Sequence, residues 1–287
     1  MKRELDIVII SDVHLGTYGC HADELIHYMN SIKPKILILN GDIIDIWQFR
    51  KSYWPKSHMK VAKKIISFAS KKTDIYYISG NHDEMLRKFT PLDLGRLHFK
   101  DKLVLRVKNK KLWVFHGDIL DFTMKNAKFL AKLGGIGYDF LIILNRFINQ
   151  FLLLIGRQKV SFSKRIKNSV KKAVKFIGDF ENTVAEIAIQ NNYDFVSCGH
   201  IHQPVIKDIT IGNKTVTYLN SGDWVESLTA LEYKDEEWKI FNFNTDYIKS
   251  TNIENEKNHV VRLWKLASLS IFEHLLHFVF SNTQASS

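Results

Sequence analysis

Hydrophobic positions along the chain fall into short dense runs, separated by stretches with a helical period. Asp6–Ile10 is a compact Ile/Val run and predicts a buried strand. Residues 21–32 predict a helix stopped at Lys33-Pro34, and Lys35–Leu39 predicts the second strand. Val61, Ile65, Ile66 and Ala69 mark one face of a helix over His58–Lys71, and Asp74–Ile78 predicts a third strand. Leu103–Val107 and Lys111–Phe115 predict a strand pair turning at residues 108–110. A helix near Val184–Gln190 then leads into a strand at Phe195–Ser197, followed by strands at Thr215–Leu219, Ser227–Tyr233 and Trp238–Phe243. Early alternation of strand and helix, followed by paired strands, predicts a mixed α/β sandwich.

Two segments break the pattern. Residues 122–179 have no strand signal, are apolar first and basic later, and predict a helical cap inserted in a catalytic domain of residues 1–245. Residues 246–287 form a C-terminal extension, polar at first and apolar-aromatic from Val260 to Phe280. The apolar stretch 140–155 is interrupted by Asn145, Arg146, Asn149 and Gln150, which argues against a transmembrane span and for a buried or interfacial helix.

Composition narrows the class. Of 287 residues 45% are hydrophobic and 25% charged, which is globular rather than disordered. Two cysteines, Cys20 and Cys198, exclude a disulfide scaffold and a thiolate zinc site. The first residues lack the apolar stretch of a signal peptide, so a cytoplasmic setting is expected. The formal charge of +11 points to anionic company: phosphate esters, nucleic acid or an anionic membrane face.

The chemistry sits at the strand ends. The predicted strands run into Ser11-Asp12-Val13-His14, Asn40-Gly41-Asp42, Gly80-Asn81-His82-Asp83, His116-Gly117-Asp118 and Gly199-His200-Ile201-His202. Ligands of open α/β sheets bind beyond the carboxyl ends of the strands, so these five blocks should converge. Carboxylate, amide oxygen and imidazole without thiolate suit Mn²⁺, Fe²⁺, Zn²⁺ or Mg²⁺. Asp12 and His14 are two apart, as are His200 and His202, so extended backbone aims each pair one way. The candidate metal ligands are therefore Asp12, His14, Asp42, Asn81, His116, His200 and His202. Asp45 and Asp118 read as carboxylates that brace them.

These blocks resemble the calcineurin-like metallophosphoesterase superfamily, over about residues 5 to 235. The resemblance implies a four-layer α/β/β/α sandwich and two divalent metal ions, Mn²⁺ foremost. One ion would take Asp12, His14, Asp42 and His202. The other would take Asp42, Asn81, His116 and His200, with Asp42 bridging. His82 is the candidate to protonate the leaving oxygen or stabilise charge there, with Asp83 orienting its ring. Within the superfamily the chain is similar to the UDP-2,3-diacylglucosamine diphosphatases of lipid A synthesis. The features are Asp12-Val13-His14-Leu15-Gly16, Gly41-Asp42-Ile43-Ile44-Asp45 and the 84 residues from His116 to His200 (200 − 116), which leave room for a cap. The best-known members carry Arg where this chain has His82.

That similarity implies a lipid-linked nucleotide sugar as substrate, cleaved to UMP and a lipid sugar 1-phosphate. It places substrate contacts among Asn81, His82, Asp121, Arg157, Ser169, Lys171 and Lys172. The apolar insertion residues, such as Phe140, Leu144, Phe147 and Phe151, would line an acyl groove. The basic run that follows, from Arg157 to Lys175, would meet substrate phosphates or an anionic inner-membrane surface, making the protein peripheral there. No nucleic-acid-binding module is discernible, so no nucleic-acid partner is expected. Another metallophosphoesterase activity is the alternative. An inactive scaffold of the same fold is the remote one, and the full set of seven ligands speaks against it.

Overall fold

The computed structural model describes residues 2–47, 53–122 and 162–247, without the side chains of 121–122, 162–173 and 247. Most of the expected cap, with Arg157, and nearly all of the C-terminal extension lie outside the described residues. Asp121, Ser169, Lys171 and Lys172 are placed by backbone only.

The first sheet is built from β1 (Arg3–Ile10), β2 (Ile32–Asn40), β3 (Asp74–Ile78), β4 (Leu92–Leu94), β5 (Leu97–Lys100), β11 (Thr229–Lys234) and β12 (Glu237–Asn242). Its strand order is β12-β11-β1-β2-β3-β5-β4. β1, β2, β3 and β5 run parallel, while β11 and β4 are antiparallel to their neighbours. The second sheet holds β6 (Leu103–Val107), β7 (Lys110–Val114), β8 (Phe195–Cys198), β9 (Val205–Ile211) and β10 (Lys214–Asn220), in the order β6-β7-β8-β10-β9.

Apolar residues of both sheets meet between them. Ile7, Ile9, Ile38 and Ile78 of the first pack with Leu112, Val114, Phe195 and Leu219 of the second. These runs are buried on both faces because helices cover the outer sides. α1 (Ala22–Ser31) and α2 (Lys56–Ala69) flank the first sheet through Leu25, Tyr28, Met29, Val61 and Phe68. α3 (Phe162–Gln190) covers the second sheet with Phe180, Val184, Ala185 and Ala188, packed on Trp113, Val196 and Tyr218. The result is the α/β/β/α order of layers. By contact the chain divides into Met1–Phe241 and Asn242–Ser287. The described part of the second unit is one turn, where the Asn242 N–H donates to Asp246 Oδ2 at 2.8 Å.

Four features depart from the sequence reading. α3 runs unbroken across residue 179, where the cap was expected to end, so the insertion's last turns belong to a core helix. Its Lys-rich first half masks the period that Phe176, Phe180, Val184 and Ala188 carry. β9 and the β4–β5 hairpin were not foreseen. β9 is a sheet edge whose polar alternation reads as loop, and β4 is only three residues long. Pro34 lies inside β2 rather than before it. β3 pairs with β2 only from Ile36 onward, so the missing N–H removes nothing on that side.

No described helix is long and apolar enough to cross a membrane.

Candidate metal centre

β1, β2, β3, β7 and β8 all end at one edge of the sandwich, and the five blocks follow those ends. The chain turns there through strained backbone. Asp12, His14, Asp42, His200 and His202 all have positive φ, between 52° and 67°, so the extended backbone expected at 12–14 and 200–202 is not found, and His200 and His202 serve different donor groups. Left-handed backbone at a residue with a side chain costs on the order of 1–3 kcal/mol. Asp, Asn and His tolerate it better than most. Five such residues in one place is the strain of a site that the surrounding fold over-determines. Close approach does the rest: a Cβ added to Gly80 would stand 2.2 Å from Asp42 Oδ1 and 2.7 Å from His116 Nε2. The glycine is what lets β3's end lie against both.

The donors gather in three groups whose candidate ligand atoms lie within 4.8 Å of one another: Asp12, His14 and His202; Asp42, His116 and His200; and His14, Asp45 and His82, which shares His14 with the first. Asn81, next in the chain to Gly80, has a buried side-chain oxygen with no hydrogen-bond donor. The Nε2 atoms of His14 and His116 are likewise buried without a hydrogen-bond partner, although that of His116 faces the Asp42 carboxylate. Orphaned donors and acceptors cost about 1–3 kcal/mol each in a protein interior. Here they are the atoms a cation would engage. The residues fit two divalent ions.

The imidazoles of His14 and His116 are held by the far nitrogen, which selects the one that faces the centre. His116 Nδ1 lies 2.9 Å from the carbonyl of Asn40, at the end of β2. His14 Nδ1 lies 3.2 Å from Asp45 Oδ2, and His202 Nδ1 3.7 Å from Asp223 Oδ2. Among the carboxylates, Asp12 Oδ1 is 3.1 Å from His202 Nε2, and Asp42 Oδ2 is 3.3 Å from His116 Nε2. Asp42 Oδ1 accepts the His82 N–H at 2.7 Å, and Asp12 Oδ2 accepts the His200 N–H at 3.1 Å.

Charge in so buried a place shifts the proton equilibria of Asp12, Asp42, His116 and His202. Burial alone would raise the Asp42 carboxyl, but the His116 charge brings it down to about 2. Burial would likewise raise Asp12, and His202 instead holds it well below the ordinary carboxylate range. Burial disfavours an imidazolium, yet Asp42 lifts His116 to about 10, and Asp12 lifts His202 to about 9. The metal-free centre is therefore a set of interlocked ion pairs.

The pairing of His82 corrects one expectation. Its Nδ1 stands 2.9 Å from Asp45 Oδ2, a close charge contact, and its ring meets His14 edge-on at 4.7 Å. Asp83 does not orient it. The Asp83 carboxylate points away, accepting the Tyr77 hydroxyl at 2.6 Å and the N–H groups of Gly80 and Ile43 at 2.6 and 2.9 Å. The reason is geometric: neighbouring residues in a turn diverge, while β2's continuation carries Asp45 under both rings. Burial opposes charge on His82, but the Asp45 contact outweighs it and raises the pKa. Asp118 is clamped by both of its oxygens to Arg87.

This division of labour predicts two contrasting variants. Asp45→Asn should fold normally and lose about 10–100-fold in turnover, as for other carboxylates that orient metal-bound histidines. Asp83→Asn should instead lower thermal stability by roughly 2–4 kcal/mol, because a buried acceptor of three hydrogen bonds is compromised. Paired melting curves and rates check this, and the reverse assignment of losses would refute it.

The sequence reading overlooked Asp223, Asn40 and Trp47. Asp223 had a visible signal, since Ser221-Gly222-Asp223 repeats the strand-end Gly-Asp pattern after β10. Asn40 acts through its backbone carbonyl, which any residue type provides. Trp47 is 58% exposed, with its ring 5.1 Å from that of His82. Nothing in the sequence marks it.

Comparison with known proteins agrees with this geometry. The calcineurin-like phosphoesterase family matches residues 5–204. The UDP-2,3-diacylglucosamine hydrolase of Blochmanniella pennsylvanica is 27% identical over 74% of this chain and 85% of its own length. That of Blochmanniella floridana is 26% identical over 83% and 98%. The DNA double-strand break repair protein Mre11 of Methanococcus maripaludis is 25% identical over 80% of this chain and 60% of its own. With the match covering more than half of the chain and the donor groups assembled at its strand ends, this protein belongs to the calcineurin-like phosphoesterase family of hydrolases.

Proposed function

We propose that the protein hydrolyses the pyrophosphate bond of UDP-2,3-diacylglucosamine, giving UMP and 2,3-diacylglucosamine 1-phosphate, at the cytoplasmic face of the inner membrane. The observation that carries the chemistry is the gathering of Asp12, His14 and His202, and of Asp42, His116 and His200, with buried ligand atoms of His14, His116 and Asn81 that make no hydrogen bond. The names of relatives similar over most of their length support the substrate.

Asp12, His14, Asp42 and His202 would hold one divalent ion, and Asp42, Asn81, His116 and His200 the other, with Asp42 shared. When bound, such ions, Mn²⁺ foremost, acidify water and draw charge from phosphoryl oxygens. The chain's own part is positional. Asp45 and Asn40 fix the tautomers of His14 and His116, so that each presents a lone pair inward, and Asp223 sets a negative charge beside His202. His82, kept protonated more readily by Asp45, donates its proton to the departing phosphate oxygen as the P–O bond breaks. Asp121, Arg157, Ser169, Lys171 and Lys172 would contact the rest of the substrate. The basic run of the cap would meet anionic lipid, at about 1 kcal/mol per Lys or Arg near the surface.

The test is turnover by the full-length, Mn²⁺-loaded protein. UDP-2,3-diacylglucosamine should be cleaved with UMP release and a kcat/KM at least about 100-fold above that for bis(p-nitrophenyl) phosphate, because remote binding energy is used only by the full substrate. Brisk turnover of the simple diester with none of the lipid would overturn the substrate and leave the family chemistry intact. That outcome has one observation in its favour: His82 stands where the best-known lipid A members have Arg.

A further inference from the structure

The loop that follows His14 carries a feature the reaction does not use. Tyr18 is 72% exposed, and its ring lies on that of Tyr53 with centroids 3.9 Å apart. Tyr53 in turn meets His58 edge-on at 5.9 Å, and Trp54 meets the same imidazole at 5.7 Å. His58 is only 2% exposed, and its Nδ1 accepts the N–H of Gly16 at 3.0 Å. Between His14 and Tyr18 the chain is closed by the Thr17 N–H and hydroxyl, both donated to the His14 carbonyl, at 3.2 and 2.9 Å. On its other side the loop packs at Gly19 against Val225, in the turn that Asp223 caps. An exposed aromatic ring alone is ordinary. This one is backed by a second ring and tied through buried groups to a metal-ligand loop.

We propose that Tyr18, supported by Tyr53, is a stacking platform for the base of the nucleotide half of the substrate. The proposal rests on the nucleotide-sugar reading above and adds where the nucleoside is recognised. Tyr18 is four residues from His14, a span of at most ~14 Å even if fully extended, and the Thr17 turn shortens it. A base attached to a phosphate held at the centre falls within that radius. The open ring with its phenol edge suits a planar heterocycle, whereas an acyl chain favours an enclosed apolar cleft.

The test measures binding of UMP and of ribose 5-phosphate to the full-length protein by calorimetry, beside turnover of bis(p-nitrophenyl) phosphate. Tyr18→Ala should weaken UMP about tenfold, the typical loss of one base–aromatic stack, and leave ribose 5-phosphate unchanged. The simple diester should also turn over as before. Tyr18→Phe should bind UMP like the parent. With the nucleotide-sugar substrate the loss should appear in KM and spare kcat. Tyr18 is exposed, so these variants test recognition rather than folding. UMP affinity unchanged in Tyr18→Ala, or no UMP binding by the parent protein, overturns the proposal. So does a loss confined to 2,3-diacylglucosamine 1-phosphate, which would assign the ring to the lipid. Failure of the parent to cleave the lipid substrate while it still binds UMP through Tyr18 would overturn the substrate reading alone.

Discussion

Replacing Asp42 with asparagine is expected to lower phosphoester turnover by at least about 10³-fold while the protein still folds. Asp42 serves both donor groups in the proposed scheme, and its Oδ2 faces His116 at 3.3 Å. Removing one pre-organised charge-stabilising group commonly costs 10²–10³ in rate, and a shared ligand affects two ions at once. Asparagine is the informative substitution. Asp42 has a φ of 53°, and asparagine tolerates left-handed backbone where alanine is strained. Asparagine also keeps an oxygen to accept the His82 N–H that Asp42 Oδ1 now receives at 2.7 Å. Rates, metal content by elemental analysis and a melting curve separate the effects. Activity retained within tenfold, with both ions bound, would sink the shared-ligand mechanism.

Metal uptake by the metal-free protein should release protons and tighten steeply with pH. His116 and His202 are raised to about 10 and about 9, so both are cationic at neutral pH. Each must lose its proton to offer a lone pair. Two protons released imply a combined affinity rising about 100-fold per pH unit up to about pH 9. The rise slows to about tenfold per unit until pH 10. Calorimetry at one pH, in buffers of different ionisation enthalpy, counts the protons directly; heats independent of the buffer would refute the prediction.

The same shifts set the stability of the metal-free form. The raised pKa of His116 contributes stability that is complete below its ordinary 6.5 and is lost as pH climbs through about 10. The lowered pKa of Asp42 contributes stability present above its ordinary 3.8 and lost as pH falls through about 2. The pair therefore supports the metal-free fold best between those ordinary values.

Much of this was legible in the residues. Dense Ile/Val runs such as Asp6–Ile10 read as buried strands, because they are short, β-branched and leave no face for water. Every run leads into Asp, Asn or His, four of the five beside a glycine, so the donor set and the side of the sheets it occupies were readable from order alone. Periodicity is a local property, and both features are local.

What remained hidden depends on contacts between residues far apart in the chain. That Asp45, not Asp83, faces His82 follows from β2 and β3 lying side by side, since adjacency in sequence says nothing about where two side chains of a turn point. The support of His116 by a backbone carbonyl, of His202 by Asp223, and of Tyr18 by a ring 35 residues away (53 − 18) has the same origin. The sequence alone determined which atoms are available to a metal and the kind of reaction they suit. Only the tertiary structure decided which nitrogens of His14 and His116 face inward, which carboxylate lies against His82 and which exposed ring does, because those are set by packing across strands rather than along them.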